Sequence, residues 1–340
     1  MPFTIVRNDI THMQVDAIVN TANPHPVVGA GVDAAIHAAA GPALLQARQA
    51  VGPIAPGHCA ITRGFGLSAR YVIHTVGPAW QDGCHGEESL LRSCYATALQ
   101  MAHKHSLTSV AFPLISAGTY AFPHDLAIQI AVSTISDFLL HHEMAVYLVV
   151  YDRRAFRLSS RLFADVASYI DENYVQHHSV KDCRDDRRRR AAALSLQDRS
   201  CPLLDLEPDF VAPSGFTGSV PDTFSFQTDA GFSETLLHLI DQSGLKDSAV
   251  YKRANISRQH FSKIRNDLNY RPTKSTALAF AVALQLDLHQ TRDLLERAGY
   301  ALSRSSLGDM IVQYFIEHKH YDINDINIAL FQHDQSQLGS

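Results

Sequence analysis

The sequence predicts a three-layer α/β/α fold with a mixed central sheet, followed by a separate all-α region. Over residues 3–175, short β-branched and apolar runs alternate with alanine-rich segments of helical spacing. Such alternation is typical of a largely parallel sheet that is covered by helices on both faces. Beyond residue 228 only helical spacing remains. Two domains are also expected because 340 residues exceed what one hydrophobic core comfortably holds.

Five strands and four helices are predicted in the first part. The strand segments lack polar alternation, which indicates that both of their faces are buried. They cover residues 4–6, 17–20, 71–75, 109–113 and 146–151. The helices cover residues 32–40, 88–105, 123–142 and 157–174. We place the boundary of this domain at residue 175, a length that suits one α/β/α unit.

Residues 176–228 predict a flexible linker. This stretch contains four prolines, several serines and glycines, and a charged run over 181–190 that ends in four arginines. A short helix is expected at 187–196. The arginine run is either a solvated part of the tether or a contact to RNA or to a membrane surface.

Residues 229–340 predict an all-helical domain. The helical segments cover residues 235–240, 249–254, 257–267, 273–286, 291–298, 309–317 and 323–331. Asp247, Ser257 and Asp322 are polar residues of the kind that begin helices. This length is sufficient for a core of its own.

The composition excludes several classes of protein. With 46% hydrophobic and 19% charged residues, the chain is globular rather than disordered. Its five cysteines include no C-x-x-C pair, which argues against a disulfide framework and against a cysteine-clustered zinc site. No basic segment leads into an apolar one at the start, and no apolar run approaches ~20 residues. We therefore expect a reduced, cytoplasmic protein that does not bind membranes.

The most informative segment is a glycine-rich turn between the second strand and the first helix. Gly29 and Gly31 lie in this turn, which aims free backbone N–H groups and a helix N-terminus at an anion, most often phosphate. Residues 29–34 even satisfy the relaxed dinucleotide pattern G-x-G-x-x-A. A nicotinamide fold, however, needs an acid about 20 residues further on, and no Asp or Glu occurs between Asp33 and Asp82. A phosphate site of a different kind is predicted.

A second small polar loop, residues 116–120, follows the strand at 109–113. Two such loops at neighbouring strand ends can bind both phosphates of a pyrophosphate from opposite sides. The alternative is that both loops are ordinary strand–helix turns.

Five motifs, in this order, together resemble the macrodomain family. They are residues 8–11, 16–23, 31–37, 71–78 and 111–118. The resemblance covers residues 3–175 and is most specific to the MacroD-type branch, whose members hydrolyse ADP-ribosyl groups and O-acetyl-ADP-ribose. It implies that this chain binds ADP-ribose or an ADP-ribosylated substrate. The alternative, from another functional class, is a non-catalytic ADP-ribose reader.

The resemblance also implies roles for individual residues. Asp9, with the Ile10 backbone, would bind the adenine amino group, for which a carboxylate is a suitable acceptor. Asn23 would bind the distal ribose, and Tyr151 would either stack on adenine or fill the core. Further ligand contacts are implied at Asn20, Gly29, Ala30, Gly31, Val32, Ser116, Ala117, Gly118, Thr119 and Tyr120.

Asp33 and Asn23 are the residues that the resemblance implies for catalysis. A carboxylate beside the diphosphate can orient and polarise a water molecule for attack on the anomeric carbon of the distal ribose. The alternative is that Asp33 only caps its helix. His37, one turn further on, is either structural or an acid or base. No cofactor and no metal is expected, since the Cys/His ligand set of a zinc-dependent macrodomain branch is absent from the sequence.

Three positions depart from the family pattern. Val28 and Ala30 interrupt the first glycine loop, and Ala121 stands where the second loop usually has glycine. Each adds a β-carbon where the backbone must approach phosphate, so a reduced rate or affinity is expected.

The second domain resembles, over residues 245–300, the helix-turn-helix of Cro/repressor-like regulators and a helical domain that follows macrodomains in some bacterial proteins. In this resemblance Ser257, Arg258, Gln259 and His260 begin a recognition helix that continues to Lys263, and such side chains can reach base edges. Residues 246–274 contain eight Lys/Arg and two Asp/Glu, so their charge is 8 − 2 = +6, while the whole chain has −5. The partner is either DNA or a protein.

Overall fold

The computed structural model describes residues 2–150, 165, 166, 168–170 and 230–339. Its first part contains one six-stranded sheet. The strands are β1 (Phe3–Arg7), β2 (Ala17–Thr21), β3 (Cys59–Arg63), β4 (Tyr71–Thr75), β5 (Ser109–Pro113) and β6 (Ala145–Val150). Their spatial order is β1-β6-β5-β2-β4-β3. Every neighbouring pair is parallel except β3 and β4, so the sheet is mixed, as predicted.

Helices cover both faces of this sheet. They are α1 (Val32–Ala40), α2 (Pro42–Val51), α3 (Glu87–Lys104) and α4 (His124–His141), with a 3-10 turn at Ile10–His12. Ile36 and Leu44 of α1 and α2 pack in one buried cluster, whereas Leu91 and Ile128 of α3 and α4 pack in another. Two clusters on opposite faces make the three layers that the sequence predicts.

Two elements of this part were not predicted. Strand β3 lies at the sheet edge, where half-buried side chains weaken the apolar signal. Helix α2 begins at Pro42, directly after Gly41, whose φ of 82° ends α1. Proline is favoured in the first turn of a helix, so the Gly-Pro pair divides two helices where the sequence suggested one helix and a loop.

Several sequence predictions fall outside the described residues. They are Tyr151, the linker 176–228 with its short helix and arginine run, and most of the helix expected at 157–174. Residues 165, 166 and 168–170, which lie within that helix, are helical.

The C-terminal part is all-helical, as predicted, and all seven predicted helices are present. They are α5 (Phe232–Ser243), α6 (Asp247–Arg253), α7 (Arg258–Asn266), α8 (Lys274–Ala283), α9 (Leu288–Arg297), α10 (Leu307–Glu317) and α11 (Ile323–Gln332). Ser257 and Asp322 cap their helices through side-chain hydrogen bonds. Asp247 is instead the first helical residue of α6, which has Lys246 at its N-cap. None of the described helices is both long and apolar enough to cross a membrane.

The helical region packs against the outer edge of β1. Asn255 accepts from the Phe3 N–H at 2.7 Å and donates to the Phe3 carbonyl at 2.8 Å. Gln337 makes the same pair of bonds with Ile5, at 3.1 and 2.6 Å. The exposed backbone groups of an edge strand can pair with another chain. Here two side-chain amides occupy those groups, which joins the helical region to the sheet.

Candidate active site

A cavity of about 220 Å³ lies at the carboxyl ends of β2 and β5. These strands are neighbours, but the chain leaves β2 toward β3 and β4 and leaves β5 toward β6. Ligands of open α/β sheets bind at such a switch point. The cavity is lined by Thr21, Ala22, Asn23, Gly29, Ala30, Gly31, Val32, Asp33, Gly77, Leu114, Ile115, Ser116, Gly118, Thr119 and Tyr120.

A larger cleft of about 770 Å³ lies between α4 and the helical region. Several of its charged side chains, among them Arg253, Lys319 and Asp322, are exposed to solvent. The smaller cavity is lined by the buried side chains of Asp33 and Ser116, whereas the buried polar side chain at the cleft, Asn255, is paired with the Phe3 backbone. The smaller cavity is therefore the candidate site.

The first loop brings backbone N–H groups to the cavity. Gly31 has a φ of 64° and is the N-cap of α1, but it supplies no side-chain hydrogen bond to the helix. The first-turn N–H groups of α1 are thus available to an anion. A β-carbon at Gly29 would lie 2.9 Å from the Asn23 amide nitrogen and 3.2 Å from an Asp33 oxygen. Glycine is favoured there because the loop passes directly over these two side chains.

The second loop holds two non-glycine residues in the left-handed region. Ser116 has a φ of 63° and Ala121 a φ of 51°, a conformation that disfavours any residue with a β-carbon. The buried Ser116 hydroxyl has no hydrogen-bond partner among the described residues, although it lines the cavity. Leaving a buried hydroxyl unpaired costs about 1–3 kcal/mol, so a ligand oxygen would complete this site.

Asp33 is 3% exposed and is held through both of its oxygens. One oxygen accepts from the Gly29 N–H at 2.5 Å, and the other accepts from the Asn20 amide at 2.6 Å. The His37 Nε2 atom lies 3.6 Å from the second oxygen. These bonds run to the preceding loop and to β2 rather than to the N–H groups of α1. Asp33 therefore orders the cavity wall. Its side-chain hydrogen bonds do not cap α1, which is the alternative role considered for it.

Beneath Asp33 lies a chain of buried polar side chains. The Asn20 amide nitrogen is 3.2 Å from His74 Nδ1, and His74 Nε2 is 2.8 Å from the Thr62 hydroxyl. Burial in the sheet, together with the charges of Arg48 and His37, lowers the pKa of His74 to about 3. His74 is therefore neutral at physiological pH.

Like His74, Arg48 of α2 is a buried group that the sequence did not indicate as part of the site. It is 2% exposed, and its guanidinium donates to the carbonyls of Asn23 at 3.1 Å and of Pro24 at 3.3 Å, and to that of Gly52. Burial lowers the pKa of Arg48, while the charge of Asp33 opposes this effect. Arg48 thus fixes the backbone that carries Asn23.

All of the site residues predicted in β2, α1 and the two loops line the cavity except Asn20 and Ala117. Asn20 is fully buried beneath Asp33 and is not in the lining, so its place is that of a support rather than a ligand contact. Ala117 is also not in the lining. The lining residues Thr21, Ala22, Gly77, Leu114 and Ile115 had not been singled out, although they lie in or beside the motifs that carry the family resemblance.

Asp9 and Ile10 follow β1 at the same edge of the sheet but do not line the cavity. One Asp9 oxygen accepts from the Thr11 hydroxyl at 2.7 Å and from the Thr11 N–H at 2.9 Å. These two bonds lower the pKa of Asp9. An ionised carboxylate is the form that suits the predicted contact with an amino group.

The predicted recognition helix is α7, which begins after Ser257. The Ser257 hydroxyl is used as the helix cap, accepting from the His260 N–H at 3.2 Å. Arg258, Gln259 and Lys263 are exposed on the helix surface. His260 faces inward to Tyr270, with 2.8 Å between its Nε2 atom and the phenol oxygen.

One group of potential metal ligands, Asp82, His85 and Glu87, lies at the start of α3 and in the loop before it, with ligand atoms within 4.8 Å of one another. Glu87 accepts backbone N–H groups from Gln81, Gly83 and His85. These bonds close the loop, which explains the cluster without an ion.

Comparison with known proteins identifies the first part of the chain. A family model described as "Macro domain" matches residues 19–131. An "O-acetyl-ADP-ribose deacetylase" of Escherichia fergusonii is 48% identical over 164 residues, which are 46% of this chain and 93% of that protein. The chain belongs to the macrodomain family.

Two further matches concern the same macrodomain part. A "Macro domain-containing protein" of Methanosarcina mazei is 48% identical over 151 residues, which are 44% of this chain and 81% of that protein. A solved structure of the Oceanobacillus iheyensis macrodomain with ADP is 41% identical, with a TM-score of 0.43, and the match covers 44% of this chain and 84% of that one.

Proposed function

We propose that the macrodomain binds ADP-ribose in the cavity at β2 and β5 and hydrolyses ADP-ribosyl linkages, including those of mono-ADP-ribosylated proteins or nucleic acids and of O-acetyl-ADP-ribose. One observation carries this proposal: a buried carboxylate, Asp33, is fixed through both oxygens at the wall of a cavity that is lined by the loops at Gly29–Gly31 and Ser116–Tyr120. The relatives named O-acetyl-ADP-ribose deacetylase support the reaction class.

The ligand is placed by the two loops. The diphosphate lies between the N–H groups at the start of α1 and the loop at Ser116–Tyr120, whose unpaired Ser116 hydroxyl donates to a phosphate oxygen. Asn23, on the backbone that Arg48 holds, contacts the distal ribose. Asp9 contacts the adenine amino group.

The chemical step is the addition of water at the anomeric carbon of the distal ribose. Asp33 accepts a hydrogen bond from the water, directs its lone pair to that carbon and takes its proton as the new C–O bond forms. The bond from the anomeric carbon to the linking oxygen breaks, and the leaving group keeps the electron pair. For a carboxylic ester of the anomeric carbon, the leaving group departs as a carboxylate, so that it needs no proton. O-acetyl-ADP-ribose carries its ester on a ribose hydroxyl instead. There the water adds to the acetyl carbonyl carbon, the bond from that carbon to the ribose oxygen breaks, and the ribose oxygen takes the proton from Asp33.

The test is a hydrolysis panel of Glu-linked, Ser-linked and DNA-linked ADP-ribose and O-acetyl-ADP-ribose. We expect Asp33→Ala to lower kcat by about 10²- to 10⁴-fold and to leave ADP-ribose affinity within about tenfold. Hydrolysis of the Glu-linked substrate in H₂¹⁸O then locates the attack. Unlabelled glutamate supports attack at the anomeric carbon, while labelled glutamate shows attack at the ester carbonyl. Tight binding without turnover by the wild type would favour the reader alternative.

A second function is proposed for the helical region, because one face of α7 suits nucleic acid. Arg258, Gln259 and Lys263 are exposed there, and no Asp or Glu occurs over residues 257–266. Such side chains can contact phosphates and base edges, and the contact is expected to weaken with salt.

The affinity of the full chain for duplex DNA, measured by fluorescence anisotropy at two salt concentrations, tests this function. We expect Arg258→Ala/Lys263→Ala to weaken binding at least about tenfold, whereas Arg292→Ala/Arg304→Ala removes two other exposed cations and serves as the control. Equal affinity of all three proteins would exclude DNA as the partner of α7 and leave a protein as the alternative.

A further inference from the structure

The nitrogen of the Asn20 amide, and not its oxygen, faces Asp33. Its nitrogen lies 2.6 Å from Asp33 Oδ1 and 3.2 Å from His74 Nδ1. An amide nitrogen has two hydrogens and no lone pair to offer, so it donates one hydrogen to each neighbour. The Asn20 carbonyl oxygen has no hydrogen-bond partner among the described residues.

This arrangement determines the tautomer of His74. Its Nδ1 atom must accept from Asn20, so its proton is on Nε2 and is donated to the Thr62 hydroxyl at 2.8 Å. Thr62 in turn donates to the Arg63 carbonyl at 3.3 Å. One end of this chain is the Arg63 carbonyl of β3, which accepts. At the other end Asn20 donates one N–H to His74 and the other to the Asp33 carboxylate.

If the His74 proton moved from Nε2 to Nδ1, the Asn20 amide would have to rotate so that its oxygen and nitrogen exchanged places. If Nδ1 carried hydrogen, the amide oxygen would have to face it, and the amide nitrogen could not be shared between His74 and Asp33. The Asn20 oxygen would then lie where its nitrogen now lies, 2.6 Å from an Asp33 oxygen, and two acceptors at that distance repel each other. His74 is 0% exposed, so bulk solvent does not supply a replacement partner.

We propose that His74, as the neutral Nε2–H tautomer, is a positioning residue for the hydrolysis proposed above, because it keeps the Asn20 N–H directed at the Asp33 carboxylate. This inference rests on the proposed function. Two other groups act on the same carboxylate: His37 on α1, at 3.6 Å, and the charged Arg48 on α2. Neither group is removed by a substitution of His74, so the contribution of His74 can be measured separately.

The experiment compares His74→Leu, which removes the acceptor, with His74→Gln, whose carbonyl can accept from Asn20. For each variant, kcat and KM for a Glu-linked ADP-ribosyl peptide are measured from pH 5 to 9. We expect His74→Leu to lower kcat about 10- to 100-fold, to leave KM within about threefold, and to move the acidic limb of the kcat profile to higher pH. His74→Gln is expected to regain most of kcat and the wild-type profile.

A second variant covers the case that His74→Leu does not fold. Thr62→Val removes the acceptor for His74 Nε2–H, which frees the ring to change tautomer, so the acidic limb should move in the same direction. In the wild type, long-range ¹H–¹⁵N spectra should show the Nε2–H tautomer for the imidazole signals that His74→Gln removes.

Three outcomes overturn the inference. They are a folded His74→Leu protein with the wild-type kcat and pH profile, equal losses in the Leu and Gln variants, or an Nδ1–H tautomer. The Asp33→Ala control in the same assay separates the two proposals. A wild type without turnover, or an active Asp33→Ala protein, overturns the proposed function and this inference together, whereas an Asp33-dependent enzyme that is insensitive to His74 overturns this inference alone.

Discussion

The macrodomain cavity and the contact between β1 and the helical region both depend on a buried asparagine. Asn20 is 0% exposed and donates to a carboxylate and a histidine ring, while its own oxygen has no partner among the described residues. Asn255 is 8% exposed and uses both its nitrogen and its oxygen on the backbone of Phe3. Among these residues the Asn20 amide is thus paired only through its nitrogen, whereas the Asn255 amide is paired through both its nitrogen and its oxygen.

This difference distinguishes a ligand site from a structural contact. Around the cavity, the buried side chains of Asn20, His37 and Ser116 each have one atom without a partner among the described residues. At β1, Asn255 and Gln337 pair the outward-facing backbone groups of Phe3 and Ile5. Unpaired buried polar groups are costly and concentrate at functional sites. Changes at the β1 contact should therefore affect stability first, and changes around the cavity should affect ligand binding and turnover first.

Breaking the β1 contact has the largest expected effect. Asn255→Ala leaves the Phe3 N–H and C=O unpaired and puts alanine at a φ of 56°, a left-handed conformation that asparagine adopts more readily. We expect the free energy of unfolding to fall by about 3 kcal/mol, measured by urea denaturation, with ADP-ribose affinity unchanged. Asn255→Gly tolerates the same φ and isolates the hydrogen bonds, so its loss should be smaller. Unchanged stability of both variants would mean that the helical region does not hold β1.

The pH dependence of stability comes next and belongs to the cavity. The pKa of His74 is lowered from 6.5 to about 3 in the folded chain, so below pH 6.5 the unfolded chain binds a proton that the folded chain does not. The contribution of His74 to stability is therefore fully present above pH 6.5 and is lost as the pH falls toward 3. At pH 5 the loss should be about 2 kcal/mol.

Urea denaturation of the wild type and of His74→Gln at pH 7.5 and 5 measures this contribution. The variant should lose less stability than the wild type between the two pH values. Equal losses in the two proteins would assign the pH dependence to other groups.

Gly29→Ala tests how closely the first loop covers the cavity side chains. Its β-carbon would press on the Asn23 amide at 2.9 Å and displace a residue that we propose contacts the ligand. We expect ADP-ribose affinity, measured by calorimetry, to fall about tenfold, or ~1.4 kcal/mol. Gly118→Ala is the matched control, since a β-carbon there meets nothing within 4 Å. Equal losses in both variants would show that the ligand itself, and not Asn23, is what the added carbon meets.

The smallest expected effect is a gain. Ala121→Gly relieves a residue whose φ is 51°, which saves about 1–2 kcal/mol, and about 0.5–1 kcal/mol of this is offset by the greater freedom of glycine in the unfolded chain. Thermal denaturation should show a net stabilisation of about 0.5 kcal/mol. Ala117→Gly, in the same loop but outside the left-handed region, should destabilise instead. A loss in Ala121→Gly would mean that its φ carries no strain.

Local sequence was sufficient for much of this molecule. Strands with continuous apolar character, such as β5, and helices with regular spacing and polar caps, such as α7 and α11, depend on neighbours within a few residues. The glycine turn at Gly29–Gly31 and the acid at Asp33 form a short motif whose geometry is set by the strand and helix beside it. The edge strand β3 escaped prediction because half-buried edge strands show little apolar patterning.

What the tertiary structure alone decided are the contacts between residues that are distant in the chain. His74 meets Asn20 because β4 pairs with β2 in a register that places these two residues opposite each other. Asn255 reaches Phe3 across 252 positions. Such contacts depend on strand order, register and docking, which no short motif specifies. The sequence by itself determined which residues form the cavity loops, and the packing of the sheet determined which buried groups support Asp33.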